Sequence, residues 1–264
     1  MCAVHPGSSR PAAGGLWHGI HKGADILRHM NGEADFALVH EEAEMLVVDK
    51  PAGLLSVPGR GEAGKDNLTT RVQARWPDAL VVHRLDQATS GLIVFGRGAA
   101  AQRALSVAFA ERRVYKRYEA VVHGLVASNE GDVALPLMVD WPNRPRQIVD
   151  LHSGKPALTR WRVAARSSAT EDTRTHVLLE PVTGRSHQLR VHMQALGHAI
   201  VGDELYGPQP PHTGRLLLHA AELHLPHPSR PEVLRFSSPV PFALDDTLGY
   251  SDPSPSHPST PSCT

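Results

Sequence analysis

Cysteine is scarce in this sequence: of its 264 residues only Cys2 and Cys263 are cysteine, one near each end. They imply neither a disulfide framework nor a cysteine-based metal site. Long apolar runs are also missing, because no stretch approaches the roughly 20 residues that a membrane-spanning helix needs. The first residues contain no apolar core of a signal peptide. We therefore expect a protein of the cytoplasm with no membrane partner.

An excess of charge of one sign is absent as well, since 27 Lys and Arg balance 27 Asp and Glu. The distribution along the chain is less even. Residues 71–117 contain nine basic and three acidic side chains, and residues 144–190 contain nine and four. Local basic surface can hold phosphate groups even when the whole chain is neutral, although ordinary solvated faces would give the same counts.

Composition divides the chain into three parts. Residues 1–36 begin with a stretch rich in Pro, Gly, Ser and Ala, which predicts a partly disordered N-terminal extension. Residues 247–264 are rich in Ser and Pro, which predicts a disordered tail. Residues 37–246, with most of the apolar side chains, are expected to form the folded domain.

Within that domain the apolar pattern predicts many short strands and few helices. Strands and helices do not alternate regularly, so the fold class is α+β with a largely antiparallel or mixed sheet. The main predicted elements are strands at 45–49, 79–82, 91–95, 115–123 and 175–179, a helix at 99–113, and helices capped by Asn67 and by Ser186.

One acidic residue, Asp86, lies on the short link between two predicted core strands, with Arg84 two residues before it. Loops at the ends of core strands hold side chains rigidly, as catalysis requires. An aspartate in such a turn can also simply cap its own backbone. Spacing alone leaves both interpretations open.

The residue types around Asp86 carry more information than its position. Residues 83–92, His-Arg-Leu-Asp-x-x-Thr-Ser-Gly-Leu, resemble the nucleophile motif of the RluA-type pseudouridine synthases. Further stretches that resemble motifs of this family are residues 46–54, 116–120, 184–203 and 216–220. The chain departs from the family pattern at Ala199, where the family usually has proline; this changes loop stiffness and puts no chemistry in doubt.

The resemblance implies an enzyme that isomerises uridine to pseudouridine in RNA, and we expect it to use neither a metal nor an organic cofactor. It implies a long curved sheet with flanking helices and a central catalytic cleft within residues 37–246. Asp86 would be the nucleophile, attacking either the anomeric carbon of the ribose or the uracil ring. Arg190 would pair with Asp86 and keep it ionised, and Tyr118 would stack on the uracil and accept a proton.

A uridine inside folded RNA must leave its stack before a protein can act on it. Arg84, next to the nucleophile, could fill the vacated space or hold a phosphate, although an ordinary structural ion pair is the alternative. The side chains expected to bind substrate are Lys50, Arg84, Trp141, Arg144, Arg185 and His187.

Residues 55–60 and 140–145 resemble a dual-specificity branch of the family. That resemblance implies uridine 32 of a tRNA anticodon loop and uridine 746 of a 23S rRNA hairpin as targets. Action on only one of these RNA classes, or on another rRNA uridine, is the nearest alternative. We expect a monomer that needs no protein partner.

The sequence contains 17 histidines, of which His187, His192 and His198 lie close together. Their five- and six-residue gaps, without cysteine or carboxylate partners, favour structural roles over a metal site. We expect His83 to be structural too, hydrogen-bonded beside the loop of Asp86.

A silent RNA-binding protein and a phosphatase are the two alternative functions from other classes. A catalytically silent RNA-binding or RNA-folding protein would have no need to retain Asp86, Tyr118 and Arg190 together. A phosphatase that used Asp86 would want further carboxylates for a magnesium ion, and none lies within several residues of it.

Overall fold

The computed structural model describes residues 36–167, 173–209 and 214–244. Apart from Phe36, the predicted N-terminal extension and the predicted C-terminal tail lie outside these ranges. Those two assignments, and with them the domain boundaries, stay predictions.

The described chain contains three α-helices and twelve strands. The helices are α1 (Leu68–Arg75), α2 (Gly98–Ala110) and α3 (Gln188–Ala195). The strands are β1 (Ala37–Glu41), β2 (Met45–Lys50), β3 (Ala79–Val81), β4 (Ser90–Arg97), β5 (Tyr115–His123), β6 (Glu130–Val133), β7 (Leu137–Val139), β8 (Gln147–Val149), β9 (Thr159–Arg166), β10 (Arg174–Pro181), β11 (Leu218–Pro226) and β12 (Val233–Ser237).

Ten of these strands form one mixed sheet, whose main path runs β1-β2-β4-β11-β5-β10-β9-β6. Strand β3 pairs with β4, and β12 pairs with β11. Strands β4 and β11 run parallel, whereas the other described pairs are antiparallel. The late strand β11 therefore joins the half of the sheet built by β1–β4 to the half built by β5, β6, β9 and β10. Strands β7 and β8 form a separate hairpin.

Helices α1 and α2 cover opposite faces of β2 and β4. Alternate residues of a strand point to opposite faces, so Val48 and Phe95 pack with α1 while Val47 and Val94 pack with α2. Both strands are therefore buried on both sides, which explains why their sequences are nearly continuous apolar runs. Helix α3 packs on the other half of the sheet.

Most predicted elements are confirmed to within a few residues. Asn67 caps α1, with its side-chain oxygen accepting from Thr70 N at 3.0 Å. The predicted strand 115–123 matches β5, and the predicted helix 99–113 corresponds to the shorter α2.

The predicted cap of α3 is wrong. Ser186 is exposed, and the N-cap position is occupied by His187, which has a left-handed backbone (φ 53°) and makes no side-chain cap hydrogen bond. The turn before the helix is held instead by Gln188, whose side-chain oxygen accepts from Arg185 N at 3.1 Å and from Thr183 Oγ1 at 2.7 Å. Tertiary contacts of Gln188 thus replace the local cap.

The parallel pairing of β4 and β11 depends on a close backbone approach at Gly91. Gly91 has φ 114°, and a Cβ atom there would lie 2.4 Å from the carbonyl oxygen of Ala220 on β11. Only glycine fits a position that combines this backbone conformation with this contact.

We predict that Gly91→Ala lowers the free energy of unfolding by about 2–5 kcal/mol, the sum of backbone strain and overpacking. Gly197→Ala is the matched control, because Gly197 has φ 85° and its added Cβ would meet nothing within 4 Å. Its loss should be about 1–2 kcal/mol, from strain alone. Urea unfolding measures both, and equal losses would contradict the close approach.

Candidate active site

Asp86 lies on the link between β3 and β4, and the residues on both sides of it are fixed by the turn after β2. Ser56 Oγ donates to Leu85 O at 2.6 Å and accepts from Leu85 N at 3.1 Å. On the other side, Gly53 N donates to Gln87 O at 2.8 Å. Among the described residues no backbone N–H donates to the Asp86 carboxylate, so the alternative of a self-capping turn aspartate is wrong.

Lys50 supports the same loop from behind. Its ammonium group is buried and donates to Pro51 O at 2.8 Å, to Leu54 O at 2.7 Å and to Gln87 O at 3.1 Å. Burial lowers the pKa of Lys50 to about 8, against the opposing effect of the Asp86 charge. With all three donors used on carbonyls, Lys50 ties the loop to β2 and does not line the cleft, where the sequence predicts a substrate contact.

The charge opposite Asp86 is Arg190 on α3, as the sequence predicts, but Asp86 is the weaker of its two partners. Arg190 Nε and Nη2 donate to the two oxygens of Asp203 at 2.7 and 2.8 Å. Its remaining nitrogen, Nη1, lies 3.6 Å from Asp86 Oδ2, which is an ion pair longer than a hydrogen bond. Although burial acts in the opposite direction, the bonds and charge of Asp203 raise the pKa of Arg190.

Asp203 is a residue whose role sequence reasoning missed. Its side chain is fully buried, and one oxygen also accepts from Leu205 N and Tyr206 N, both at 3.0 Å. The motif around it was visible in the sequence, but its pairing with Arg190 joins helix α3 to the turn that follows it, and that contact is set by tertiary structure.

Tyr118 on β5 lines the cleft beside Asp86. Burial, and then the negative charge of Asp86, raise the pKa of Tyr118 above its ordinary value, so the free site contains a neutral phenol. Lys116 lies two residues earlier and therefore on the same face of β5. It is partly buried, its pKa is lowered by burial, and strand alternation could have identified it as a cleft residue.

Two cavities meet at Asp86. The smaller has a volume of about 310 Å³ and the larger about 980 Å³, the span of typical small-molecule sites. The residues that line both are Arg84, Leu85, Asp86, His187 and Arg190. The further basic side chains are Lys116 and Arg185 in the smaller cavity, and Arg60, Arg144 and Arg215 in the larger one. The charged side chains of the cleft are thus mainly basic; Asp86 lies at the junction of the two cavities, and Glu204 is a second carboxylate that lines the larger one.

The other predicted substrate contacts lie around the rim. Arg84 is exposed at the junction of both cavities, and Arg185 and His187 come from the turn before α3. Trp141 and Arg144 lie on the loop that joins β7 to β8, and the Arg144 guanidinium stacks on the Trp141 ring at 4.7 Å. Arg144 lines the larger cavity, whereas the 63% exposed Trp141 lies outside both cavities.

Behind the loop of Asp86, a chain of polar groups crosses the sheet. Arg215 Nη2 donates to Ser90 Oγ at 2.7 Å, Ser90 Oγ lies 2.9 Å from His219 Nδ1, and His219 Nε2 lies 3.0 Å from Ser238 Oγ. Ser238 in turn donates to Asp49. Burial, and then the Arg215 charge, lower the pKa of His219 to about 4, so a neutral ring relays the bonds. The chain ties β2, β4 and β11 together beneath the site.

His83 has the structural role that the sequence predicts. Its Nε2 accepts from Val94 N at 3.1 Å, its ring stacks on Phe109, and burial lowers its pKa to about 3. In the described ranges no group of three His, Cys, Asp or Glu side chains is placed to hold a metal ion. The helices described here include none long and apolar enough to cross a membrane.

Comparison with known proteins gives a consistent match. Residues 44–195 match the family described as RNA pseudouridylate synthase. The chain is 47% identical over 207 residues to the dual-specificity RNA pseudouridine synthase RluA of Escherichia coli (strain K12), covering 78% of this chain and 93% of the relative. The enzyme of the same name from Vibrio parahaemolyticus is 50% identical over 194 residues, covering 72% of this chain and 78% of the relative.

Solved structures give the same picture. The human RNA pseudouridylate synthase domain containing 1 superposes with a TM-score of 0.69 at 30% identity, covering 81% of this chain and 88% of that one. The human domain containing 4 superposes with a TM-score of 0.64 at 22% identity, covering 80% and 91%. The second likeness concerns the fold alone.

We predict that Asp203→Asn lowers the free energy of unfolding by about 3–5 kcal/mol, because it leaves the buried Arg190 with only the longer ion pair to Asp86. Asp78→Asn is the matched control: Asp78 pairs with Arg97 at 3.0 Å at a surface position that is 47% exposed. Its loss should be about 0–1 kcal/mol. Chemical denaturation compares the two, and a small effect at Asp203 would refute its role as the main counter-ion.

Proposed function

Because this chain belongs to the pseudouridine synthase family, and is therefore an isomerase that converts uridine to pseudouridine in RNA, we propose that Asp86 is its nucleophile. We propose further that the cleft at Asp86 receives a uridine flipped out of the RNA. The family, the class of enzyme and the α+β fold expected from the sequence are confirmed. The roles of individual residues and the target uridines are the content of the proposal.

One observation carries the assignment of Asp86. It is the carboxylate at the junction of both cavities, and its ion pair with Arg190 at 3.6 Å is too long to occupy an oxygen with a hydrogen bond. Its side chain is 29% exposed, so a substrate can reach it. A nucleophile needs both properties: charge held in place by a nearby cation, and a lone pair that no donor has already engaged.

The reaction requires no co-reactant. The bond between the ribose anomeric carbon and N1 of uracil breaks, and a bond from that carbon to C5 forms. C5 loses its proton and N1 gains one, so atoms balance within the nucleoside and solvent. Asp86 would assist either by attacking the anomeric carbon, as carboxylates do in retaining glycosidases, or by adding to the uracil ring.

Tyr118 is proposed as the stacking partner of the uracil. Its ring borders the smaller cavity beside Asp86, and a flat aromatic surface suits a flipped base. Its raised pKa means that phenolate is scarce, and a neutral phenol is a poor base. The proton-acceptor role predicted from the sequence therefore has less physical support than the stacking role.

Arg84 is proposed to take part in base flipping. It is exposed beside the nucleophile and, among the described residues, makes no hydrogen bond or ion pair. The alternative of a structural ion pair is therefore not seen. A free guanidinium in this place can hold a phosphate or occupy the gap that the flipped base leaves in the stack.

The proposed substrates are a tRNA anticodon loop at uridine 32 and a 23S rRNA hairpin at uridine 746. Two relatives at 47–50% identity are named dual-specificity RNA enzymes, and the basic cleft suits a folded phosphate backbone. Action as a cytoplasmic monomer, without cofactor or obligate protein partner, remains part of the proposal.

We predict that Asp86→Asn abolishes tritium release from RNA labelled at C5 of uridine, because isomerisation must expel that proton. The assay uses an anticodon stem-loop and a 23S hairpin, each with wild type and variant. Asp66→Asn, at an exposed aspartate that pairs with Arg71 on the surface, is the matched control and should retain full activity.

Three results are informative. Tritium release from one RNA alone would limit the substrate to that RNA class and would leave the proposed reaction unchanged. Full release by Asp86→Asn would overturn the assignment of the nucleophile. No release by wild type from either RNA, with binding intact, would favour the silent RNA-binding protein or another target.

For the rim, we predict that Trp141→Ala weakens binding of the anticodon stem-loop about tenfold, since stacking of one base on an aromatic ring contributes about 1–3 kcal/mol. Trp141→Phe keeps a ring and should restore most of the affinity. Fluorescence anisotropy of labelled RNA measures both. Equal affinity of all three proteins would exclude Trp141 as a contact.

A further inference from the structure

Tyr206 lies where the β7–β8 hairpin meets the active site. Its side chain is buried, and it shares an apolar cluster with Leu137 of β7, Val149 of β8 and Val191 of α3. The hairpin carries the rim loop of Trp141, and α3 carries Arg190. Tyr206 therefore packs between an element proposed to bind RNA and an element that carries the charge partner of Asp86.

The Tyr206 hydroxyl makes one hydrogen bond to each side. Gln147 N, at the start of β8, donates to the hydroxyl oxygen at 2.8 Å. On the other side, the hydroxyl lies 2.7 Å from His187 Nδ1. The ring also stacks with the guanidinium of Arg190 at 5.1 Å and that of Arg146, on the hairpin loop, at 5.4 Å.

The first hydrogen bond favours one direction for the second. A backbone N–H can only donate, so the hydroxyl oxygen accepts from Gln147 and its own proton needs an acceptor. Among the described residues, His187 Nδ1 is the acceptor that lies within hydrogen-bond distance of the hydroxyl, and an unsatisfied hydroxyl proton in this buried position would be costly. Burial lowers the pKa of His187, which favours the neutral ring that such an acceptor requires. The proton of the imidazole then lies on Nε2.

The Nε2–H group is available to a substrate. None of the described residues is hydrogen-bonded to it, and His187 lines both cavities together with Asp86 and Arg190. His187 also has a left-handed backbone (φ 53°), which is unusual for a residue other than glycine. A side chain in a strained backbone conformation needs contacts that hold it, and Tyr206 supplies one of them.

We propose that Tyr206 is a positioning residue: its hydroxyl connects the β7–β8 hairpin to His187 and fixes His187 as a neutral Nε2–H donor to the RNA beside Asp86. The kinetic part of this inference rests on the proposed function, whereas the tautomer of His187 does not. The donor would serve an acceptor atom of the target nucleotide, and its alignment would depend on the hairpin that contacts the flanking RNA.

The first test is nitrogen-15 NMR of the full chain with labelled histidine, in wild type and in Tyr206→Phe. His187→Gln identifies the signal. We expect the Nε2–H tautomer in wild type and a mixture of tautomers in Tyr206→Phe. Tyr115→Phe is the matched control. The hydroxyl that it removes donates to Glu180 at 2.7 Å and does not line the cleft. An Nδ1–H tautomer in wild type, or no change in Tyr206→Phe, would overturn the proposal.

The second test is kinetic. Tyr206→Phe keeps the ring and its packing, so we expect kcat to fall about ten- to hundredfold, with KM changed less than about twofold. Tyr115→Phe should leave both parameters unchanged. If the activity of Tyr206→Phe falls only in proportion to the fraction of the variant that is unfolded, or if KM alone rises, the role of Tyr206 is purely structural and the proposal is refuted.

A double-mutant cycle with Trp141→Ala tests the connection to the hairpin. If the hairpin acts through the Tyr206 hydroxyl, Trp141→Ala should lower kcat of the wild type but not that of Tyr206→Phe, and no loss of kcat in the wild type would also contradict the connection. Independent, multiplicative losses would contradict the connection. Inactivity of Asp86→Asn in parallel shows that the assay reports the proposed reaction, so failure of the two proposals can be told apart.

Discussion

A buried guanidinium must have its charge compensated, and the site depends on how Arg190 meets this requirement. The cost of removing an ion from water is several kcal/mol, and Asp203 offsets it with two short hydrogen bonds. Asp203 is itself held by two backbone N–H groups of the following turn. Helix α3 and that turn are therefore held together through Asp203. The loop of Asp86 faces Arg190 across an ion pair, while its own position is fixed from behind by Lys50.

A carboxylate nucleophile must be held in place, and its oxygens must also be free of strong hydrogen bonds; these two requirements often conflict. A carboxylate in a two-pronged pair with arginine is well aimed, but it must give up strong bonds before it can attack. Here Asp203 takes the two short bonds and Asp86 receives only the nearby charge. Asp86 is thus oriented by a field rather than by bonds to its oxygens. In the proposed mechanism, the acid that holds the cation, Asp203, is thus distinct from the acid that would react, Asp86.

Features set by local sequence were predicted well, and features set by distant contacts were not. The Asn67 cap, strand β5 and the loop of Asp86 between two core strands each depend on residues close in the chain. The start of α3 was misplaced because Gln188 holds it through tertiary bonds. Lys50 was expected in the cleft, yet its ammonium group donates to the backbone carbonyls of Leu54 and Gln87, and the sequence pattern does not predict these contacts. The sequence did not predict that Asp203 pairs with Arg190 or that Tyr206 pairs with His187, because these contacts join separate elements of the chain.

The position of β11 in the middle of the sheet has a consequence for how the protein is made. The first half of the sheet, β1–β4, and the second half, β5, β6, β9 and β10, are both complete in sequence before β11 leaves the ribosome. Until then β4 and β5 lack the strand that lies between them in the finished sheet. Asp86, Tyr118 and Arg190 all precede β11 in the sequence, so they are synthesised before the strand that joins the two halves of the sheet. The two halves of the sheet, and with them the two sides of the cleft, can therefore be joined only after β11 has been synthesised.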